Sequence, residues 1–305
     1  MDRHTLKKIL DTAGEQRFKQ KAIQFRAEIL GRARRTPPIE QTAGQVLFRG
    51  VMRALGYAKN TEGFQDLADR VPLTAIEPRE GLAAKQALLL GTAGLLPSQR
   101  RQIEPIKQRE IRELELIWQS IGSNVTTMNE GDWNLSHIYP NNSPVRRIIA
   151  QSCLLERYNR GRLLPGILQM VRDTPPSGGH RLLQTGLTVD GAGYWRDHFD
   201  FGVRSRTKMS ALLGQGKAAE IAVNTILPFA FSWGELADEA DLTDRALQLY
   251  RSYPRSPENC LTRHMANQLS LEQVSDFTAC HQQGLIHIFR SYCCEGRCLQ
   301  CRLVG

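Results

Sequence analysis

The chain has 305 residues, 41% of them hydrophobic and 23% charged, which is enough apolar material for one large or two medium cores and excludes a disordered chain. No run approaches about 18 uninterrupted apolar residues, so a helical membrane span is excluded. The opening Met1-Asp2-Arg3-His4-Thr5-Leu6-Lys7-Lys8-Ile9-Leu10 lacks the apolar region and small-residue cleavage site of a signal peptide, so a cytoplasmic protein is expected.

The net charge of +9 is unevenly placed. Residues 1 to 40 hold ten Lys/Arg against five Asp/Glu, more than half of the excess, and Arg34 and Arg35 close this basic arm. Such an arm is drawn to polyanions, with nucleic acid first among them. A solvated helical face is the plain alternative.

From Glu15 to Ile29 the residues Phe18, Ala22, Phe25 and Ile29 recur at helical spacing, and Arg34-Arg35-Thr36-Pro37-Pro38 ends that helix. Val46, Leu47, Val51 and Leu55 line a second, which stops at Gly56-Tyr57-Ala58-Lys59-Asn60. Phe64, Leu67 and Ala68 mark a third, capped by Asn60 or Thr61 and closed before Pro72. Ala83 to Leu96 is nearly all apolar and is expected to be buried. Ile111, Leu114, Trp118 and Ile121 give another helix. Residues 123 to 142 break the pattern and read as a long ordered loop, a place where function often sits. Asn142-Ser143-Pro144 then starts a helix with proline at its first position. Arg146 and Arg147 fall in its first turn, where the helix dipole disfavours cations. That pair invites an anion, or a salt bridge to the protein's own acids.

Thr174-Pro175-Pro176-Ser177-Gly178-Gly179 reads as a linker. The expected division is a helical region with the basic arm over 1–173, a linker and irregular segment over 174–207, and a second helical region over 208–305. Within the irregular segment, His198 lies between Asp197 and Asp200 in an aromatic-rich turn. This composition suits acid–base or metal chemistry, or a hydrogen-bonded packing feature. Gly214-Gln215-Gly216-Lys217 resembles a phosphate-binding loop only superficially, because Ala218 stands where Ser or Thr is needed and the context reads as helical, where a preceding strand is required. Ala218 to Trp233 is an apolar helix kinked by Pro228, within which a buried Asn224 needs a partner. Thr243 is expected to cap the next helix, Ser256-Pro257-Glu258 to open the one carrying Cys260 and His264, and Ser270 with Gln273 to form a capping box for the last.

Four of the seven cysteines lie within nine residues at the end of the chain. Cys298-Leu299-Gln300-Cys301 is a CxxC, and Cys293 or Cys294 stands just upstream across Glu295-Gly296-Arg297, a spacing that lets three thiolates converge on one metal. Along a continuous helix Cys280 would lie roughly 20 Å from Cys293 and His287 about 9 Å, both too far to complete the site. Cys260 and His264, spaced i,i+4, are the remaining candidates for the fourth ligand. Zinc is favoured over an iron–sulfur cluster because three thiolates with one imidazole is an ordinary zinc set, whereas clusters more often take four thiolates. Free thiols or a redox disulfide remain the alternative.

Taken in order, Gly56-Tyr57-Ala58-Lys59-Asn60 with Phe64, Asn142-Ser143-Pro144-Val145-Arg146-Arg147, Ala219-Glu220-Ile221-Ala222-Val223-Asn224 with Leu227-Pro228-Phe229, Pro257-Glu258-Asn259 with Thr262-Arg263, and Gln283-Gly284-Leu285-Ile286 leading to Cys293, Cys298 and Cys301 resemble the bacterial domain-of-unknown-function family 2851. The resemblance runs over about residues 15 to 303. It implies that longer members carry, upstream, a β-rich segment similar to PD-(D/E)XK nucleases, whose Gly-Pro-Asp and Glu-x-His block has no counterpart in this sequence.

The resulting expectation is an all-α protein, an irregular multi-helix bundle with long loops and a C-terminal cysteine knuckle. Its expected role is a non-catalytic module that assists a nuclease-like protein encoded nearby, or binds nucleic acid through Arg34, Arg35, Arg146 and Arg147, with no membrane partner. A protein-interaction scaffold is the first alternative, and a hydrolase using His198 with Asp197 and Asp200 is the second.

Overall fold

The apolar rhythm beginning near Phe18 belongs to a helix of 31 residues, twice the length its periodicity marks out. The computed structural model describes residues 2–33, 38–101, 107–122, 125–136, 139, 142–158, 162–205, 211–269, 277–301 and 303. The chain is mainly α. In order, the helices are α1 (Arg3–Ala33), α2 (Ile39–Leu55), α3 (Thr61–Arg70), α4 (Leu73–Ile76), α5 (Leu82–Thr92), α6 (Arg109–Ile121) and α7 (Pro144–Arg157). They continue as α8 (Leu163–Asp173), α9 (His180–Leu187), α10 (Gln215–Ile221), α11 (Leu227–Ala237), α12 (Ala240–Ser252), α13 (Cys260–Gln268) and α14 (Ala279–Ile288). Between α9 and α10 lie four short strands, β1 (Val189–Asp190), β2 (His198–Asp200), β3 (Val203–Arg204) and β4 (Ala211–Leu213), paired antiparallel as β1 with β4 and β2 with β3. Among the described residues, no helix is long and apolar enough to cross a membrane.

Contacts divide the chain into two units built from non-consecutive segments. One comprises residues 1–34, 168–186 and 218–305, the other residues 35–167 and 187–217. This grouping differs from a sequential split at 173 and 207, because α1 buries its apolar stripe against helices from the far end of the chain. The stretch 174–179 is followed at once by α9, and Thr174 is fully buried.

In the first unit α1 is the axis. Asp2 caps it, accepting from Thr5 N at 3.0 Å and Thr5 Oγ1 at 2.6 Å, which satisfies an otherwise orphaned first-turn amide and explains why the helix begins so early. Phe18 packs edge-on against Phe231 at 5.2 Å and against Tyr250 at 4.4 Å, and Phe25 packs edge-on against Phe229 at 5.5 Å. Each such pair contributes about 0.5–1.5 kcal/mol beyond its buried area. Helix α14 runs antiparallel to α1 at very close range. A Cβ on Gly284 would lie 2.3 Å from Leu10 O, and one on Gly14 would lie 2.3 Å from Cys280 O. Only glycine permits that approach of backbones.

The apolar run from Ala218 departs from a simple kinked helix. Pro228 has no N–H for the carbonyl four residues earlier, and the chain answers with a π turn over Ala222–Ile226 before α11 resumes at Leu227. A second π turn, Phe289–Cys293, extends α14. Two expected caps move. Thr243 lies inside α12 and its hydroxyl bonds Glu239 O. Asn259, reciprocally bonded with Thr262, opens α13. Thr278 and His281 cap α14, and the Ser270–Gln273 box lies outside the described residues.

In the second unit α5 and α7 form the centre, buried along most of their length. Lys85 on α5 is fully buried, with Nζ 2.6 Å from Arg79 O and 2.5 Å from Glu156 Oε2. Asn60 does not cap α3 with its side chain. Its amide instead pins the loop ahead of α7, donating to Asn134 O at 3.0 Å and accepting from Asn134 N at 2.7 Å.

Candidate functional site

Four constellations were legible in the sequence or emerge from the packing. The first is the arginine pair of α7. Arg146 is fully buried and Arg147 is 5% exposed. Arg146 Nη1 donates to Trp195 O at 2.9 Å and His198 O at 2.6 Å, and its Nη2 to Ala211 O at 3.1 Å. Arg147 donates to Leu212 O, to Tyr57 Oη at 2.8 Å and to Asn142 Oδ1 at 2.9 Å. Burial and the neighbouring Arg147 bring the Arg146 guanidinium down to about 10. The expectation that these arginines meet an external polyanion is therefore corrected. Carbonyls of the irregular β segment occupy the guanidinium forks, and the pair anchors that segment to α7. Arg34 and Arg35 lie outside the described residues.

Tyr57 belongs to the same network. Its φ of 52° is left-handed, an unusual conformation for a non-glycine residue. The ring is held by Arg147 at its hydroxyl and by Lys217, whose Nζ lies 3.7 Å from the ring centroid. The Gly-x-Gly-Lys segment thus supplies a cation–π contact, not a phosphate cradle.

The second constellation is the aromatic turn. His198 Nδ1 lies 2.8 Å from Asp197 Oδ1 and 2.9 Å from Tyr194 O, and its ring stacks on Tyr194 at 3.8 Å. The other carboxylate oxygen of Asp197 takes Arg204 at 2.8 Å. Asp200 is drawn away to Arg100 Nη1 at 2.8 Å and Phe201 N at 2.7 Å. Burial raises the Asp200 carboxyl even against the pull of Arg100. The three groups do not converge on one point, as a hydrolase would need. Ion pairs and backbone amides hold each of the two acids in a separate direction.

The third is the cysteine terminus. Cys301 is buried in an apolar cluster with Leu6, Leu10, Phe277, Leu285 and Ile288, and Cys293 packs against it. Burial raises the Cys293 thiol, reinforced by the nearby sulfurs of Cys301, Cys298 and Cys294. Cys298 and Cys260 are exposed, and the His264 ring stands edge-on to Phe289 at 5.8 Å. Among the described residues, no three His, Cys, Asp or Glu side chains are grouped to hold a metal ion. As placed, the donors are not gathered as zinc or an iron–sulfur cluster would need, Cys301 being buried while Cys298 and Cys260 are exposed. Apolar packing of Cys301 and its neighbours closes the tail onto α1.

The fourth was only half visible in the sequence. Arg17 and Lys21, one turn apart on α1, meet Asn224 from the first π turn and Gln283 from α14. Arg17 Nε donates to Gln283 Oε1 at 2.8 Å, Lys21 Nζ to the same oxygen at 3.2 Å, and Lys21 also bonds Asn224 Oδ1. Asn224 Nδ2 donates to Glu220 O at 3.0 Å, so the partner that its position demands is supplied on both ends. Burial, together with the charge of Arg290, lowers Arg17 to about 10. Burial, together with Arg17, also holds His287 below the usual imidazole range.

A family model described as "Protein of unknown function (DUF2851)" matches residues 1–259. The match includes Tyr57, Arg146, Arg147 and Asn224 and ends ahead of Gln283 and the terminal cysteines. No curated protein and no solved structure matches.

Proposed function

The chain belongs to the DUF2851 family, and from that premise we propose that it is a non-catalytic helical module that binds nucleic acid along α1, in support of a nuclease-like partner. The observation that carries this reading is an exposed cationic stripe. Lys8, Lys19 and Arg26 are all exposed, and at 100° per residue they fall within about 20° of one another, spaced about 16 and 10 Å along the helix. Glu15, on the same side, is neutralised by Arg251, whose Nε and Nη2 lie 2.6 and 2.9 Å from its two carboxylate oxygens. Arg26 makes only a loose 3.8 Å contact with Glu235, both side chains being well exposed. Buried residues along the rest of α1, among them Leu10, Phe18, Phe25 and Ile29, anchor the helix in the core, so the stripe is presented on a rigid support. The net charge of +9 favours the same class of partner.

The test is a fluorescence-anisotropy titration with a 20-mer duplex at two salt concentrations. Three phosphate contacts give a salt slope near −2.7, so affinity should fall about 40-fold between 50 and 200 mM salt. Lys8→Gln, Lys19→Gln and Arg26→Gln together should flatten that dependence. Binding that is absent, or indifferent to salt, rejects the reading.

A further inference from the structure

Two of the terminal cysteines share one turn of 3-10 helix, Cys298–Gln300, which Cys301 closes by donating its backbone N–H to Cys298 O at 3.0 Å. A 3-10 helix completes a turn in three residues and rises about 2.0 Å at each, so its first and fourth residues stand one above the other about 6 Å apart. Cys301 leaves the turn with φ −80°, within the scatter of helical values, so its Cβ keeps the direction a helical residue would give it. Disulfides span Cα separations of about 4.4–6.8 Å, most often about 5.5–6 Å. The backbone of this turn therefore already has the span a disulfide needs, and a bond between the two free thiols can close by side-chain rotation.

The two thiols differ in access. Every residue from Cys294 to Gln300 is exposed, Leu299 fully so, and the turn itself holds no buried residue that would resist rotation. Cys298 thus stands where a reagent in solution reaches it. Cys301, three residues on, is buried among Leu6, Leu10 and Ile288. An exposed thiol backed by a sheltered one is the division of labour that thiol–disulfide exchange uses: the outer sulfur meets a disulfide from solution, and the inner one attacks the sulfur beside it. The other cysteines lie outside this turn. Cys293 and Cys294 precede the left-handed Gly296, with φ 66°, Cys280 is packed against Gly14, Cys260 opens α13, and Cys153 belongs to the other unit.

From this geometry we infer that Cys298 and Cys301 form a redox-active dithiol, oxidised by small-molecule disulfides of the glutathione type. The Cys298 thiolate attacks one sulfur of the small disulfide and that S–S bond breaks. Cys298 is left joined to one half, and the other half departs as a thiol with the proton that Cys298 gave up. The Cys301 thiolate then attacks the Cys298 sulfur, the mixed bond breaks, and the second half leaves as a thiol with the proton from Cys301. Two electrons pass from the protein to the small disulfide, and one intramolecular disulfide spans the turn. Because Cys301 sits on Leu6 and Leu10, that bond fastens the outer turn to the seam between α1 and α14. Such a site uses two sulfurs where a metal needs three or four donors. The inference is independent of the nucleic-acid reading, because its test contains no nucleic acid.

The experiment equilibrates the reduced full chain, without oxygen, in mixtures of reduced and oxidised glutathione, quenches it in acid and denaturant with N-ethylmaleimide, and reads each cysteine by peptide mass spectrometry. As the mixture becomes more oxidising, Cys298 and Cys301 should lose alkylation together, and the peptide that carries both should fall by the mass of two hydrogens from its dithiol form. Cys298→Ser, at an exposed position that does not threaten the fold, should leave Cys301 reduced at every ratio. Cys301→Ser should hold glutathione on Cys298, with at least about 10-fold more adduct than wild type, because the resolving sulfur is gone. Cys301→Ala, which keeps the site apolar, should do the same. A wild-type disulfide that joins Cys298 to Cys293 or Cys294, a glutathione adduct that persists on wild-type Cys298, oxidation of Cys301 in Cys298→Ser, or a pair that stays alkylatable at every ratio overturns the proposal.

Discussion

The closeness of α1 and α14 rests on two glycines, and replacing one of them tests the packing directly. Gly284→Ala would place a methyl group 2.3 Å from Leu10 O and 3.0 Å from Leu10 C. A carbon and a carbonyl oxygen settle at about 3.3 Å or more, so α14 must retreat by about 1 Å along the seam that buries Leu6, Leu10, Leu285 and Ile288. Overpacking by one methyl costs about 1–3 kcal/mol, and the upper end applies because the obstacle is backbone and cannot rotate aside. Alanine's better helix propensity returns about 1 kcal/mol, leaving a net loss of about 2 kcal/mol. Gly31, also on α1, has nothing within 4 Å of its Cβ position. There the propensity term acts alone, so Gly31→Ala should gain up to about 1 kcal/mol. Urea unfolding followed by far-UV circular dichroism reads both. With a slope of about 2 kcal/mol per molar, the first variant should lose about 1 M in midpoint and the second should rise slightly. The reasoning fails if Gly284→Ala melts at or above wild type, or if the two variants shift together.

Arg146→Leu removes the donor for three carbonyls and should cost about 3 kcal/mol or more, against less than about 0.5 kcal/mol for Lys19→Ala on the exposed stripe; similar urea midpoints for the two would contradict the anchoring role. A thiol-reactive reagent at pH 8 should label Cys260, Cys294 and Cys298 rapidly in native protein and all seven cysteines after unfolding. Burial pushes Cys280 up to about 12 and Cys153 up to about 11, and it hides Cys301, so fast labelling of those three would show a different packing. Protein purified without added metal should carry far less than one zinc per chain by elemental analysis, and stoichiometric zinc would mean that the terminal sulfurs regroup. Hydrogen bonds from Thr5 hold Asp2 at about 2, below its unfolded 3.8. A depressed carboxylate stabilises above its unfolded pKa, so its capping contribution is full above about pH 4 and fades toward pH 2. Amide exchange at Thr5 should be faster in Asp2→Ala than in wild type at pH 5, and the difference should shrink as pH falls to 2.

Local signals carried far. Apolar spacing found the buried faces of α1, α2, α3 and α6, because a 3.6-residue period is written into which residues must leave water. Pro144 marked the start of α7, and Asn224 in an apolar run announced a partner. The same signals missed α9 and placed the caps of α12 and α13 wrongly, since Ser, Thr and Asn offer many local bonds and packing selects among them.

What sequence alone determined is the helical class, the basic amino-terminal helix and the need for polar partners at Asn224 and the arginine pair. Tertiary structure decided which partners those are. Arg146 and Arg147 are buried by carbonyls some fifty to sixty-five residues away in the chain, and Cys301 is held in the core by Leu6 and Leu10 at the opposite terminus. Arg17 finds Gln283 across 266 positions of sequence. Charge and periodicity are properties of neighbours along the chain, whereas desolvation and pairing are properties of neighbours in space. A cation's role is fixed by the second kind.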